Sequence, residues 1–176
     1  MSMRRPVFPL LMLAWLLAAP VAAWAGPRED TERAELSFRS GDLITAMALL
    51  RRAADEGHAP AQARLADLLD AAEQDAEAVA LYRKAAEQGD AAGEYGLSRM
   101  LANGEGVARD PVQALALLRR AAERNHAPAL DGLARATRAG DLGLARDPAE
   151  AARLEARARL VRGVPASAPA SARPAK

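Results

Sequence analysis

The chain has 176 residues, of which 51% are apolar but only 3% aromatic, and its formal charge is +1. So even a balance provides no global basic field for nucleic acid, and the absence of cysteine excludes disulfides, zinc thiolate sites and thiol catalysis. Alanine and leucine carry most of the apolar content, which suits close-packed helices better than a β-sandwich built from β-branched and aromatic side chains.

Met1–Arg5 is short and positive, Val7–Ala19 is apolar, Pro20 breaks the run, and Ala23-Trp24-Ala25 places small residues at the −3 and −1 positions. This is the pattern of a secretory signal peptide covering residues 1–25. The apolar run is about 13 residues, short of the roughly 20 that cross a bilayer. The sequence therefore predicts a periplasmic or secreted chain, with no lipid anchor and no stable membrane insertion after cleavage. Arg4 and Arg5 are the only charges before residue 26, so cleavage would tip the net charge from +1 to about −1.

Asp30–Arg39, with Ala34, Leu36 and Phe38 as its apolar positions, reads as a first helix. Ser40-Gly41-Asp42 is a turn whose aspartate caps the next helix. From Leu43 that helix is expected to bury Ala46, Leu49, Leu50, Ala53 and Ala54 at helical spacing and to stop at Gly57. Three helix pairs follow: Ala59–Ala72 with Asp75–Gln88, Ala91–Ala102 with Val112–Arg124, and Ala127–Arg138 with Ala149–Arg162. Asp110-Pro111 and Asp147-Pro148 supply a cap and a first-turn proline to two of the second helices.

A repeat orders these pairs. Leu-Leu-Arg-Arg-Ala-Ala-Asp-Glu at Leu49–Glu56 recurs as Leu-Tyr-Arg-Lys-Ala-Ala-Glu-Gln at Leu81–Gln88. It recurs again as Leu-Leu-Arg-Arg-Ala-Ala-Glu-Arg at Leu117–Arg124, so the double alanines are 32 and then 36 residues apart. A period of that size marks a helical repeat array. The expected fold is all-α, a solenoid of about four antiparallel helix pairs. It would occupy residues 26–163, in units of about 30–57, 58–89, 90–125 and 126–163. Residues 164–176, rich in Pro, Ala and Ser, read as a disordered tail.

Matched positions of the first helices hold Leu65, Leu97 and Leu133, each followed by a small residue (Ala66, Ser98, Ala134) that lets a neighbour approach. The loop Asn103-Gly104-Glu105-Gly106-Val107-Ala108-Arg109 has two glycines for positive φ and a valine to tuck back on the helices. Gly140–Arg146 is a version one residue longer, and the second unit lacks four residues there. In the last helix Glu155 and Arg159 replace a leucine and an alanine, giving the polar outer face of a terminal cap.

Lys84-Ala85-Ala86-Glu87-Gln88-Gly89, then Asn103-Gly104-Glu105-Gly106-Val107, then Asp110, resembles the Sel-one-like repeat, a helix-pair module of roughly 36 residues related to the tetratricopeptide repeat. The resemblance covers about residues 42–162, while Asp30–Gly57 looks more like a tetratricopeptide-type first unit. It implies a right-handed α-solenoid that scaffolds protein complexes, often in bacterial envelopes. Two features depart from the family pattern. The usual A-helix glycine is Ala66, Ser98 or Ala134, and the B-helix aromatic is Leu81 or Leu117.

No catalytic constellation is legible. His58 and His126 share one repeat position, as turn residues before helix starts, and Asp90 holds it in the middle unit. Stacked repeats would keep the two histidines apart, so they do not read as metal ligands. Ser37, Ser40 and Ser98 lack a neighbouring histidine or a nucleophile elbow, and Gly104-Glu105-Gly106 lacks the strand and lysine of a phosphate loop. The sequence therefore predicts no enzyme and no cofactor. The rows Arg51/Arg52, Arg83/Lys84 and Arg119/Arg120 recur in phase. They read either as a basic strip for peptidoglycan or an anionic polysaccharide, or as charges favourable near helix C-termini that pair with acids such as Glu87 and Glu123. The favoured reading is an exported scaffold for protein–protein interactions in the cell envelope. Its concave, A-helix face would contact an envelope protein through Gln62, Arg64, Asp67, Glu94, Arg99, Asp131 and Arg135.

Overall fold

The computed structural model describes residues 26–163; the expected signal peptide and the expected tail lie outside the described residues. Within them eight α-helices follow one another and no strand forms: α1 (Pro27–Ser40), α2 (Leu43–Asp55), α3 (Ala59–Ala71), α4 (Asp75–Glu87), α5 (Ala91–Asn103), α6 (Pro111–Glu123), α7 (Ala127–Ala139) and α8 (Pro148–Val161). Short connections fold each odd-numbered A helix against the following B helix as an antiparallel pair. Helix α3 also touches α1 and α5, whereas successive B helices make no comparable contact. The A helices therefore line the inner side of the array and the B helices the outer.

Local chemistry sets the helix ends. Asp42 accepts from the Thr45 backbone N–H at 3.0 Å, and Asp110 from those of Val112 at 3.1 Å and Gln113 at 2.9 Å. Asp147 does the same for Ala149 and Glu150. The proline after each of the last two caps is already helical, so α6 and α8 start one residue before the expected positions. The B helices α2 and α6 end on a left-handed residue, Gly57 at φ 85° and Asn125 at φ 61°, as a helix-terminating turn requires.

The first helix departs from expectation. It begins at Pro27 rather than Asp30, and Leu36, one of its apolar positions, is 64% exposed. A carboxylate, Asp30, is buried with Ala34 instead. The inward set expected for α2 is found as read: Ala46, Leu49, Leu50, Ala53 and Ala54.

Each B helix carries two fully buried alanines two turns apart: Ala46 and Ala53, Ala78 and Ala85, Ala114 and Ala121, Ala151 and Ala158. The facing A helix can then come very close. A Cβ added to Gly93 would lie 2.5 Å from Ala85 Cβ, and one added to Gly96 would lie 2.1 Å from Tyr82 Cε1. The aromatic position is therefore one residue later than read: Tyr82, not Leu81, is the fully buried one. The glycine that admits it is Gly96, not the position of Ser98, while Gly93 makes room for Ala85. The Tyr82 hydroxyl donates to Asp67 Oδ1 at 2.7 Å, and burial pushes its phenol well above the ordinary tyrosine range.

Val107 tucks against the core as expected. The core itself has two parts. One runs from Ala34 to Leu117 and the other from Leu118 to Ala158, with Leu142 packed against both. The division falls between two adjacent residues of α6, which faces α5 with one side and α7 with the other.

Gly96→Ala is expected to lower stability although alanine is the better helix former. Overpacking a core costs about 1–3 kcal/mol, against about 1 kcal/mol returned by helix propensity. The Tyr82 ring, at zero exposure, has nowhere to swing. Urea denaturation should show the loss, and adding Tyr82→Leu should recover part of it; no loss would mean the close approach is not a constraint.

Candidate functional site

One position in the first turn of the A helices recurs as Asp30, Gln62, Glu94 and Leu130, and all four are buried. The Arg52 guanidinium of α2 donates two hydrogen bonds to Asp30, one to each oxygen. Those bonds hold the Asp30 carboxyl below the usual carboxylate range, against the burial that would raise it. Gln62 donates to the Ala54 carbonyl at 3.0 Å and accepts from Gln88 Nε2 at 2.8 Å. Glu94 has Arg120 Nη2 at 2.5 Å from one oxygen and Arg124 Nε at 3.5 Å from the other. Neither contact has the alignment of a hydrogen bond, so charge alone compensates the buried carboxylate.

Two expectations change as a result. Gln62 and Glu94, expected on the binding face, have their polar atoms inside the helix pairs and no surface to offer a partner. The arginine rows are not a free strip either, because Arg52 and Arg120 reach to the A helix of their own pair. Pairing of the rows with Glu87 and Glu123 is not among the ion pairs of the described residues. The signal was in the repeat register, where a charged or amide residue recurs at the A-helix start opposite an arginine or lysine.

The other five expected contact residues lie on the inner side, and most are latched to a neighbouring helix. Arg64 Nε binds Glu35 at 2.8 Å, its Nη1 lies 3.6 Å from Asp67, and its guanidinium stacks 4.6 Å from the Phe38 ring centre. Arg99 Nη2 binds Asp70 at 3.1 Å, joining α5 to α3. Asp131 pairs with Arg162 at the end of α8. Arg135 is exposed and takes part in no ion pair among the described residues.

A cavity of about 270 Å³ opens beside Arg135 between α5 and α7, two A helices that make no contact like that of α3 with α5. Leu118, the Tyr95 ring, Ala102, Gly132 and Leu142 give it an apolar lining, and Ser98, Arg99 and Asn103 line it as well. Gly132 keeps it open, since a Cβ there would lie 3.2 Å from Leu118 Cδ1 and 3.3 Å from Tyr95 Cε2. Small-molecule pockets run upward from about 300 Å³, so this space suits a side chain and its neighbour. Sequence reasoning missed Tyr95, Gly132 and Ala102, because the cavity depends on how far apart α5 and α7 stand.

The histidines occupy helix starts. His58 Nδ1 lies 2.8 Å from Thr31 Oγ1, and His126 packs its ring 5.3 Å from that of Tyr95. Burial pushes the His126 imidazole below its ordinary pKa. Among the described residues no three His, Asp or Glu side chains converge as a metal site.

The family model described as "Sel1 repeat" matches residues 38–58, 59–90 and 91–126, together half of the chain. Among solved structures, a Sel1 repeat protein from Oxalobacter formigenes superposes with a TM-score of 0.69 at 22% identity, covering 76% of this chain and 57% of its own. A protective antigen present in uropathogenic Escherichia coli strains and displaying an SLR fold gives 0.68 at 29% identity, covering 76% of this chain and 30% of its own. A sel1 repeat protein from Klebsiella pneumoniae subsp. pneumoniae gives 0.66 at 27% identity, covering 77% and 68%. The chain thus spans less than two thirds of the length of the first two. No curated protein matches it.

Two outcomes are expected of the buried ladder. Arg120→Leu should cost about 2–3 kcal/mol, below the usual ~3–5 because Arg124 stays 3.5 Å away. Adding Glu94→Leu, the arrangement the fourth unit already has at Leu130, should recover most of that loss in urea denaturation. The Asp30 pair stabilises fully above the unfolded aspartate value of about 3.9 and is lost as pH falls through the lower folded value. Asp30→Asn should therefore flatten the acid limb of Tm against pH below about 4; an unchanged limb would remove Asp30 from the account.

Proposed function

Because the chain belongs to the Sel1 repeat family, whose members are helical-repeat scaffolds that generally mediate protein–protein interactions, we propose that it is an exported scaffold holding a protein partner in the bacterial cell envelope. The single observation that carries the reading is the inner face. Its A helices are latched to one another by Arg64–Glu35 and Arg99–Asp70, and the latching stops at the cavity between α5 and α7. A pre-ordered concave surface ending in an open cleft loses little entropy when a protein segment settles on it. Export rests on the sequence of residues 1–25, a positive start, an apolar run and small residues before a cleavage point. A structural neighbour described as a protective antigen of uropathogenic Escherichia coli lends weight to such a setting.

The activity proposed is binding, with no catalytic step. A polysaccharide partner draws less support, because Arg52 and Arg120 are held by buried carboxylates and Tyr82 is fully buried. Stacking platforms for sugar rings are correspondingly scarce.

Affinity capture of the tagged full-length chain from a cross-linked envelope extract tests the reading. Mass spectrometry of the recovered chain should show a species starting at Gly26, with one or two envelope proteins enriched over a mock capture. A chain retaining Met1 in the cytoplasmic fraction would overturn export, and no enriched protein would overturn the scaffold.

A further inference from the structure

The A helices repeat in register, so Arg135 of α7 stands where Arg99 stands in α5, and Ala102 of α5 stands where Asp70 stands in α3. Arg99 and Asp70 join α5 to α3 at 3.1 Å. One repeat later the arginine is kept and the acid is an alanine, so the bridge from α7 to α5 does not form. Asp131, one turn before Arg135, gives its carboxylate to Arg162, and Arg138, one turn after, is taken up by Glu155. The cavity of about 270 Å³ lies at this spot, with Ala102 and Arg135 both on its lining. Leu118, Leu142 and the half-buried Tyr95 ring give it an apolar side; Ser98, Asn103 and Arg99 also line it, and Arg99 is already paired with Asp70.

We propose that this cleft takes an Asp or Glu side chain of a partner protein, which binds Arg135 as Asp70 binds Arg99, while an adjacent apolar residue of the same segment packs on Tyr95 and Leu118. The proposal rests on the scaffold reading and names the chemistry of its partner. The charge argument is one of complementarity: a guanidinium presented at the edge of an apolar wall favours a carboxylate over any neutral group. Gly132 contributes by leaving out the side chain that would close the space.

A random peptide library displayed on phage, selected on the full chain, provides the probe, and the enriched peptides are then synthesised and titrated by calorimetry. Enriched sequences should pair an Asp or Glu with a neighbouring apolar residue. Binding should weaken about tenfold or more in Arg135→Gln, in a twin peptide with the acid replaced by its amide, and in Ala102→Asp. The last variant is the sharpest, because it supplies the missing acid from within and should leave Tm equal or higher. Enriched peptides without an acid, equal binding by Ala102→Asp, or no enrichment at all would overturn the cleft assignment. So would polygalacturonate binding with the same Arg135 dependence in place of any peptide. If envelope capture still recovers a partner while the peptides fail, the scaffold stands and the cleft falls. If capture recovers nothing, the scaffold reading itself falls.

Discussion

Eight buried alanine methyls set the distance between the helices of every pair. Each B helix has two of them, two turns apart and at zero exposure, from Ala46 and Ala53 to Ala151 and Ala158. One methyl contributes only about 0.8 kcal/mol by its own burial, so their main effect is geometric. With so little side chain at the contact, backbones come together, and the larger, fully buried residues beside them (Leu50, Leu69, Tyr82, Leu130) fill the flanks. Where the approach is closest, alanine is still too large for both helices, and the A helix carries Gly93 and Gly96.

Close pairing buries this position at the A-helix starts, so any polar group placed there must be compensated from within the protein. The four units solve this differently. Asp30 takes a two-pronged guanidinium, Gln62 a carbonyl and a second amide, Glu94 one guanidinium in close contact and a second at 3.5 Å, and Leu130 no polar partner. The same slot thus tolerates a charge pair, an amide network or a hydrocarbon. A buried pair and a well-packed apolar replacement are close in net stability, which explains why such unlike residues fill one slot.

The junction of the third and fourth units is where the array is least continuous. The core divides between Leu117 and Leu118, α5 and α7 stand apart, and the ion-pair latch of the earlier A helices loses its acid at Ala102. Leu142, packed against both halves of the core, does so from a left-handed backbone at φ 54°. Such a conformation in a non-glycine residue persists only where the surroundings hold it. Repetition makes the exception visible, since a position that breaks the pattern of its own repeat stands out against its copies.

The sequence by itself determined the helices and their order. Fixed-period alanines, Asp-Pro starts and glycine or asparagine stops act within a few residues of chain, so they are legible without knowing the neighbours. The inward set of α2 follows from spacing alone. Tertiary structure decided everything that depends on a second helix. Arg52 in a row of charges looks solvent-facing until Asp30 is found buried across the pair, and Gln62 and Glu94 look like surface between leucines until the neighbouring helix covers them. Tyr82 rather than Leu81 fills the aromatic slot because Gly96, fourteen residues on, makes room for its ring. The cavity at Tyr95, Gly132 and Arg135 exists only because α5 and α7 are held apart, and that separation is a property of packed helices, not of the residues along either one.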